Sequence, residues 1–312
     1  MNSTLVSIVI ASWNRKDDVL ETLPSIYEQD YPHYEIIVVD NGSTDGTAEA
    51  LREEHPDIVL VPLTENLGAT GGRNAGIAVA QGDIIFFLDS DCNMQHDTLV
   101  NTVRKFESDP QIGILGCKVL NYFTGEIDGE TGWAFTSSVD ENMEFESFSF
   151  SETGSAIRKD ALDKAGPFWD FLFFGREGED LSIRVWNAGY TVIYYPDAIV
   201  HHRESPEKRV IGSQREYFDL RNCFYIYFTR YPWDMFLRVM TMKVGSATLR
   251  GLRRGNAHKT VFRALSDLVR NLPYLWKERN PISRETANHY FTLQREHGPL
   301  SWSIGSWLRA KV

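Results

Sequence analysis

The feature that most constrains the fold is the alternation of short apolar runs with longer mixed segments over the first hundred residues. The apolar runs predict buried strands at 5–10, 35–39, 58–61 and 84–88. The segments between them predict helices over 17–29, over 44–54, and from a glycine-rich loop at 66–72 to about residue 81. Apolar strands separated by helices indicate an α/β fold with a mainly parallel central sheet flanked by helices.

Polar residues follow each predicted strand. They are Ser12 and Trp13, then Asp40, then the loop before Gly68, and finally Asp89. Ligands of parallel α/β sheets bind at the carboxyl ends of the strands. The sequence therefore predicts one binding site shared by these four strand ends.

Asp89-Ser90-Asp91 follows the fourth predicted strand directly. Two carboxylates one residue apart can share a hard cation such as Mg²⁺ or Mn²⁺, which keeps open positions for phosphate oxygens. An isolated Asp-x-Asp is more often part of a solvated loop. Its place at a strand end favours a metal site.

Two further segments suit a nucleotide. Asp40 can accept a hydrogen bond from an N–H of the nucleobase, Asn41-Gly42 permits a tight turn, and Thr44 is predicted to cap the next helix. The stretch 66–76 is rich in glycine and contains Arg73, which suits a diphosphate at a helix N-terminus. The alternative is that these glycines serve close packing.

Taken together, these segments resemble the inverting glycosyltransferases of family 2, which have the GT-A fold. The resemblance covers about residues 5–203 and is closest in style to the bacterial rhamnosyltransferase-type members. It implies a divalent cation, Mn²⁺ or Mg²⁺, held by Asp89, Asp91 and a histidine. It also implies a UDP- or dTDP-sugar donor, with dTDP-rhamnose as the first expectation. The residues expected to bind this donor are Ala11, Ser12, Trp13, Arg15, Asp40, Asn41, Gly68, Gly72, Arg73, Asn74, Asp89 and Ser90.

The same resemblance extends to an acidic segment but departs from the family there. Family members carry Glu-Asp-x-Asp-Leu, and the first Asp acts as the general base. Alignment on Asp180 places Gly178 at that position, between Glu177 and Glu179. Because an acceptor hydroxyl needs a base at neutral pH, Glu179 is the first expectation and Glu177 the second. Asp180 is expected to cap or orient the helix that follows.

Two adjacent histidines follow a predicted strand at 191–195. Family members carry a histidine after this strand that completes the metal shell. Counting from Pro196, His202 fits the usual spacing better than His201.

The last hundred residues differ in character from the rest. The net charge of −11 divides into −22 for residues 1–204 and +11 for residues 205–312. Helices rich in arginine and aromatic residues are predicted at 216–230, 235–254 and 260–277. We therefore divide the chain into a catalytic domain, 1–205, and a basic helical region, 206–312. The first domain has a donor-binding part, 1–110, and an acceptor and catalytic part, 111–205.

The basic helical region suits the surface of an anionic membrane. The alternative is that its helices pack on the catalytic domain or form a homo-oligomer. No nucleic-acid-binding motif accompanies the basic residues, so no nucleic acid partner is expected. Three scattered cysteines, no signal peptide and no long apolar stretch indicate a cytoplasmic protein, peripheral on the inner face of the cell membrane.

The sequence predicts an inverting transferase that moves a sugar to a hydroxyl of a glycan, glycolipid or other acceptor by a single displacement. Two alternatives are kept. The first is a catalytically impaired nucleotide-sugar-binding module of a membrane-associated assembly, which Gly178 favours. The second is a sugar-nucleotide pyrophosphorylase, which is also α/β and metal-dependent.

Overall fold

A computed structural model describes residues 4–129, 135, 139–203, 212–254 and 257–298. The predicted domain boundary at 205–206 lies outside the described residues. So does the predicted helix break at 255–256.

The first four strands, within residues 6–88, pair in parallel, as predicted. The strands lie in the order β3-β2-β1-β4 and are β1 (Val6–Ser12), β2 (Tyr34–Asp40), β3 (Val59–Pro62) and β4 (Ile84–Leu88). The helices between them are α1 (Lys16–Tyr27), α2 (Thr47–Glu54) and α3 (Gly68–Val79). Successive side chains of a strand point to opposite faces. Ile8 and Ile10 accordingly belong to one apolar cluster, and Val9 belongs to the other.

Two helices begin elsewhere than predicted. α2 begins at Thr47 and not at Thr44, because the Asp45 carboxylate accepts a hydrogen bond from the Thr47 amide (3.1 Å) and Gly46 has a φ of +83°. α3 begins at Gly68, so most of the predicted glycine loop is helical. A Cβ on Gly72 would lie 3.1 Å from that of Ala11. Glycine there lets α3 approach β1 closely.

The strands that follow β4 extend the sheet and make it mixed. They are β5 (Cys92–Met94), β6 (Ile112–Asn121), β7 (Phe145–Glu146), β8 (Gly154–Arg158) and β9 (Thr191–His202). β8 lies between β4 and β6 and runs antiparallel to both. The accompanying helices are α4 (Thr98–Ser108), α5 (Lys159–Ala165) and α6 (Glu177–Asn187).

β9 is longer than predicted because it contains a bulge. Tyr195 pairs with Cys117 of β6, and the next pair is Ile199 with Lys118, so residues 196–198 bulge out of the ladder. Beyond the bulge the strand resumes and ends at His202. The two histidines were predicted to follow this strand. In the structure they are its last two residues.

The described residues of the basic region form four helices, α7 (Gly212–Arg230), α8 (Trp233–Arg254), α9 (Ala257–Lys277) and α10 (Arg284–His297). Three were predicted and α10 was not. Phe148 and Ile183 of the catalytic part share an apolar cluster with Tyr225 of α7 and Tyr290 of α10. Among the described residues, no helix combines the length and apolar character needed to cross a membrane.

One buried carboxylate ties these helices to the catalytic part. Asp180 of α6 has no exposed surface and accepts hydrogen bonds from Arg184 Nε at 2.8 Å and from Arg230 Nε at 2.7 Å. Burial alone would raise the pKa of Asp180, but the two guanidinium groups outweigh this effect and lower it. Since Arg230 is the last residue of α7, this pairing fixes α7 against α6.

We predict that Asp180→Asn lowers the free energy of unfolding by about 3–5 kcal/mol, because it leaves two buried arginines without their counter-charge. Urea unfolding followed by tryptophan fluorescence measures the loss. Asp163→Asn is the control, since it removes an exposed pair with Lys159 that contributes about 0.5 kcal/mol or less. Equal losses in the two variants would contradict the role assigned to Asp180.

Candidate active site

The Asp89-Ser90-Asp91 turn lies at the carboxyl end of β4, as predicted, and its backbone is fixed on several sides. The Cys92 amide donates to the Asp89 carbonyl (3.1 Å), and the Arg203 amide donates to the Asp91 carbonyl (2.9 Å). The Thr22 hydroxyl donates to the Ser90 carbonyl at 2.8 Å. Both carboxylates are therefore presented on a rigid turn.

Asp91 and His202 meet at this edge of the sheet. The Nε2 atom of His202 is 3.5 Å from Asp91 Oδ1, and its Nδ1 atom is 2.5 Å from Asp128 Oδ2. Burial lowers the pKa of His202, but its hydrogen bonds with Asp128 and Asp91 outweigh this effect and raise the pKa to about 10. His201 is its neighbour in the strand and points to the opposite face. The structure therefore favours His202 over His201 beside Asp91.

The donor atoms at this position fit a hard divalent cation. Ligand atoms of Asp91, Cys92 and His202 lie within 4.8 Å of one another. Mn²⁺ and Mg²⁺ prefer oxygen and tolerate imidazole nitrogen, so Asp91 and His202 are the suitable pair. The thiol of Cys92 is buried in the apolar core. Asp89, the third expected ligand, points instead to Arg73.

Asp128 is a site residue that the sequence analysis missed. Its carboxylate holds the His202 ring so that Nε2 faces Asp91. Carboxylates commonly orient metal-binding histidines in this way. Asp128 lies in the connection after β6, far from any predicted strand end, and no sequence pattern points to it.

The loops after β1 and β2 are held together where the nucleoside was expected. The Asn14 amide donates to Ser43 Oγ (2.8 Å), and the Thr44 amide donates to Asn14 Oδ1 (2.6 Å). Asp40 is buried and accepts from the Ser43 amide at 3.1 Å. Arg15 extends from the first loop to Asp91, 3.1 Å away. Of the remaining expected contacts at the end of β1, Ser12 is buried, Ala11 is half-buried and Trp13 is exposed.

Three backbone amides at the start of α3, where the anion site was predicted, bind protein oxygens. The Leu67 amide donates to Asn41 Oδ1 (2.9 Å), the Gly68 amide to Asn66 Oδ1 (2.8 Å) and the Ala69 amide to the Phe173 carbonyl (2.8 Å). These three donors already have protein partners, and a Cβ on Gly68 or Gly72 would crowd neighbouring atoms, so both glycines permit close packing. Their phosphate contacts stay a prediction. The side chains of Asn41 and Asn74 also bind protein: Asn41 Nδ2 donates to the Gly68 carbonyl (3.0 Å) and Asn74 Nδ2 to the Phe168 carbonyl (2.8 Å).

Arg73 is the one basic residue of the glycine-rich segment, and it lies beside the Asp89-Ser90-Asp91 turn. Its Nη2 atom is 2.9 Å from Asp89 Oδ1, and its Nη1 atom is 3.4 Å from Glu177 Oε1. The guanidinium is almost fully buried. Arg73 therefore joins the metal-binding turn to the acidic segment at the start of α6.

The three predicted acids of α6 point in different directions. Glu177 faces Arg73, and burial raises its pKa even though Arg73 opposes the shift. Glu179, the first expectation for the base, forms an ion pair with Arg176 instead. Both oxygens of Asp180 are bound by arginines, which corresponds to an orienting role. The geometry thus favours Glu177 over Glu179 as an acid of the site.

Comparison with known proteins identifies the chain. Residues 7–166, just over half of the sequence, match the family model described as "Glycosyl transferase family 2". The chain belongs to glycosyl transferase family 2. Membership in this family favours a glycosyltransferase over the pyrophosphorylase alternative.

Two relatives illustrate the breadth of family 2. Glycosyltransferase AglE of Haloferax volcanii is 30% identical over 227 residues, which are 69% of this chain and 72% of AglE. The poly-beta-1,6-N-acetyl-D-glucosamine synthase of Staphylococcus aureus is 32% identical over 110 residues, which are 35% of this chain and 27% of the synthase.

Solved structures share the fold. A mannosyltransferase from Pyrobaculum calidifontis in complex with GDP-Man and Mn²⁺ has a TM-score of 0.58 and 22% identity, covering 100% of this chain and 89% of that one. GalNAc-T7 with UDP, GalNAc and Mn²⁺ has a TM-score of 0.60 and 18% identity, covering 75% of this chain and 50% of that one. This likeness confirms the predicted GT-A fold.

We predict that Asp128→Asn weakens Mn²⁺ binding about 10–100-fold, because the His202 ring loses the carboxylate that orients it. Calorimetric titration of Mn²⁺ in the presence of a nucleoside diphosphate measures the change. Glu126→Gln removes an exposed carboxylate two residues away and serves as the control. Unchanged affinity in Asp128→Asn would remove His202 from the metal site.

Proposed function

We propose that this family 2 glycosyltransferase moves a sugar from a nucleotide-diphosphate donor to a hydroxyl acceptor by a single inverting displacement. The observation that carries the proposal is the meeting of Asp89, Asp91 and His202 with Arg73 at one edge of the sheet. Arg73 supplies a fixed positive charge beside the metal-binding turn. A leaving diphosphate develops negative charge as its bond to the sugar breaks, and such a site stabilises that charge.

Asp91 and His202, with Asp89 beside them, are the residues that would hold Mn²⁺ or Mg²⁺. When bound, the cation would neutralise charge on the diphosphate. Asp91 is already paired with Arg15, and Asp89 with Arg73. These arginines hold the two carboxylates in different directions, Asp91 toward the loop after β1 and Asp89 toward α3.

The loops after β1 and β2 provide the proposed nucleoside site. Asp40 and Trp13 flank it, and the bonds of Asn14 hold the two loops together. UDP and dTDP are the proposed nucleotides. The expectation of dTDP-rhamnose rests on the likeness of the motifs to rhamnosyltransferase-type members. Testing a panel of nucleotide sugars is the direct way to find the donor.

We predict that one nucleotide sugar raises the unfolding temperature in the presence of Mn²⁺ and less so in EDTA, because a ligand that binds only the folded state stabilises it. The panel contains UDP-, dTDP- and GDP-sugars. Asp91→Asn is expected to abolish both the Mn²⁺-dependent shift and the Mn²⁺-dependent hydrolysis of the donor. Glu146→Gln, in an exposed residue far from this edge, is the control.

The outcomes separate the alternatives. Binding without hydrolysis or transfer would favour the catalytically impaired binding module. The absence of any Mn²⁺-dependent shift across the panel would reject the proposed donor class. Full hydrolysis by Asp91→Asn would reject the assigned metal site.

We also propose that α9 docks this enzyme on an anionic membrane, where a lipid-linked acceptor could be presented. Phe262, Val269 and Trp276 are each more than 60% exposed. They lie seven residues apart and therefore share one face of α9. Arg263, Arg270 and Lys277 follow them with the same spacing and are also exposed. An apolar stripe beside a basic stripe suits the boundary between headgroups and acyl chains.

We predict that the double variant Phe262→Glu/Trp276→Glu binds anionic vesicles at least tenfold more weakly than wild type, because it places charge in the apolar stripe. Co-sedimentation with phosphatidylglycerol-containing vesicles measures the affinity. Phosphatidylcholine vesicles and high salt are expected to reduce wild-type binding, since the basic stripe contributes through screened charge.

Val79→Glu is the matched control, because Val79 is an exposed apolar residue of α3 and not of α9. Equal binding by all three proteins would reject membrane docking. A wild-type dimer in solution that becomes monomeric in the double variant would assign the stripe to a second copy of the chain.

A further inference from the structure

Gly178 leaves a space in α6 that another residue fills. A Cβ built on Gly178 would lie only 2.5 Å from Glu152 Oε1 and 2.8 Å from the Phe150 carbonyl oxygen. Real Cβ atoms do not approach other heavy atoms this closely. The Glu152 carboxylate therefore occupies the volume that a side chain at position 178 would need.

The position of β8 brings Glu152 beside Gly178, because Glu152 lies in the turn before this strand. This strand is antiparallel to β4, with Gly154 opposite Leu88, so the turn before β8 lies beside the end of β4. The Asp89 amide donates to the Thr153 carbonyl at 3.2 Å. Glu152 is thus one residue from a backbone bond to the metal-binding turn.

The surroundings of Glu152 suit proton transfer. Burial and the negative charge of Glu177 raise the pKa of Glu152 to about 8, although Arg73 opposes the shift. Glu177 is held by Arg73 and is almost fully buried, whereas Glu152 keeps some exposed surface. Of these two acids, Glu152 is the one that an acceptor approaching from solvent can reach.

We infer that Glu152 is the catalytic base, standing in the space that Gly178 leaves open. This inference rests on the proposed function. In the step, the acceptor oxygen forms a bond to the anomeric carbon while the bond from that carbon to the diphosphate breaks. The electron pair of the broken bond leaves on the diphosphate, and the acceptor proton passes to the Glu152 carboxylate. Glu177 remains paired with Arg73 and limits the mobility of the site.

The first test is Glu152→Gln, measured with the donor selected by the panel and with water as the acceptor. We expect Mn²⁺-dependent hydrolysis to fall at least 100-fold, in the range by which general bases contribute. Donor affinity is expected to stay within about twofold, because the amide keeps the shape and Arg73 keeps its partners. Glu146→Gln, from the same acidic stretch but exposed, is expected to hydrolyse the donor at the wild-type rate.

The second test keeps the carboxylate at position 152 but shortens its side chain. Glu152→Asp is expected to retain at least tenfold more hydrolysis than Glu152→Gln, because a carboxylate remains near the same place. A purely structural role for Glu152 would instead favour the isosteric Gln over the shorter Asp.

The results distinguish this inference from the proposed function. Wild-type hydrolysis that persists unchanged in Glu152→Gln overturns the inference and leaves the proposed function intact. If Glu177→Gln loses hydrolysis while Glu152→Gln keeps it, Glu177 is the base. A wild-type protein without Mn²⁺-dependent donor turnover overturns both proposals.

Discussion

The buried guanidinium of Arg73 is the contact on which the site depends. It lies between Asp89 at the end of β4 and Glu177 at the start of α6, and the charge of Glu152 acts on it as well. Three carboxylates this close would repel one another in a partly desolvated space. One cation from α3 offsets that repulsion, so the donor-binding half and the α6 segment can share a single edge of the sheet.

Local pattern predicted the parts of the site that lie at strand ends. The bounds of β4 and the position of Asp89-Ser90-Asp91 follow from an apolar run that stops at a polar turn. Arg73 was singled out for the glycines around it, and in the structure two of those glycines pack α3 closely against β1. A glycine-rich helix start has the same appearance in sequence whether its amides bind phosphate or protein oxygens.

Asp128 and Glu152 were missed because their roles arise from contacts between distant parts of the chain. Asp128 acts on His202, 74 residues away, and Glu152 reaches the site only because β8 is inserted antiparallel beside β4. Glu179 was the first expectation for the base. In the structure it is paired with Arg176, which has a left-handed backbone at the start of α6, and the sequence pattern does not show this contact. α10 contributes Tyr290 to the core shared with the catalytic part, yet its sequence carries no clear apolar stripe.

The bulge in β9 separates the two ends of that strand. Residues 196–198 have no partners in β6, so the facing of the histidines is determined by the pairing of residues 199–202 with β6 and β5. The alternation of residues 191–195 has no influence on it. Insertions or deletions in the bulge can thus be absorbed without rotating His202 away from Asp91. The bulge can therefore differ in length while the imidazole of His202 keeps its direction toward the metal site.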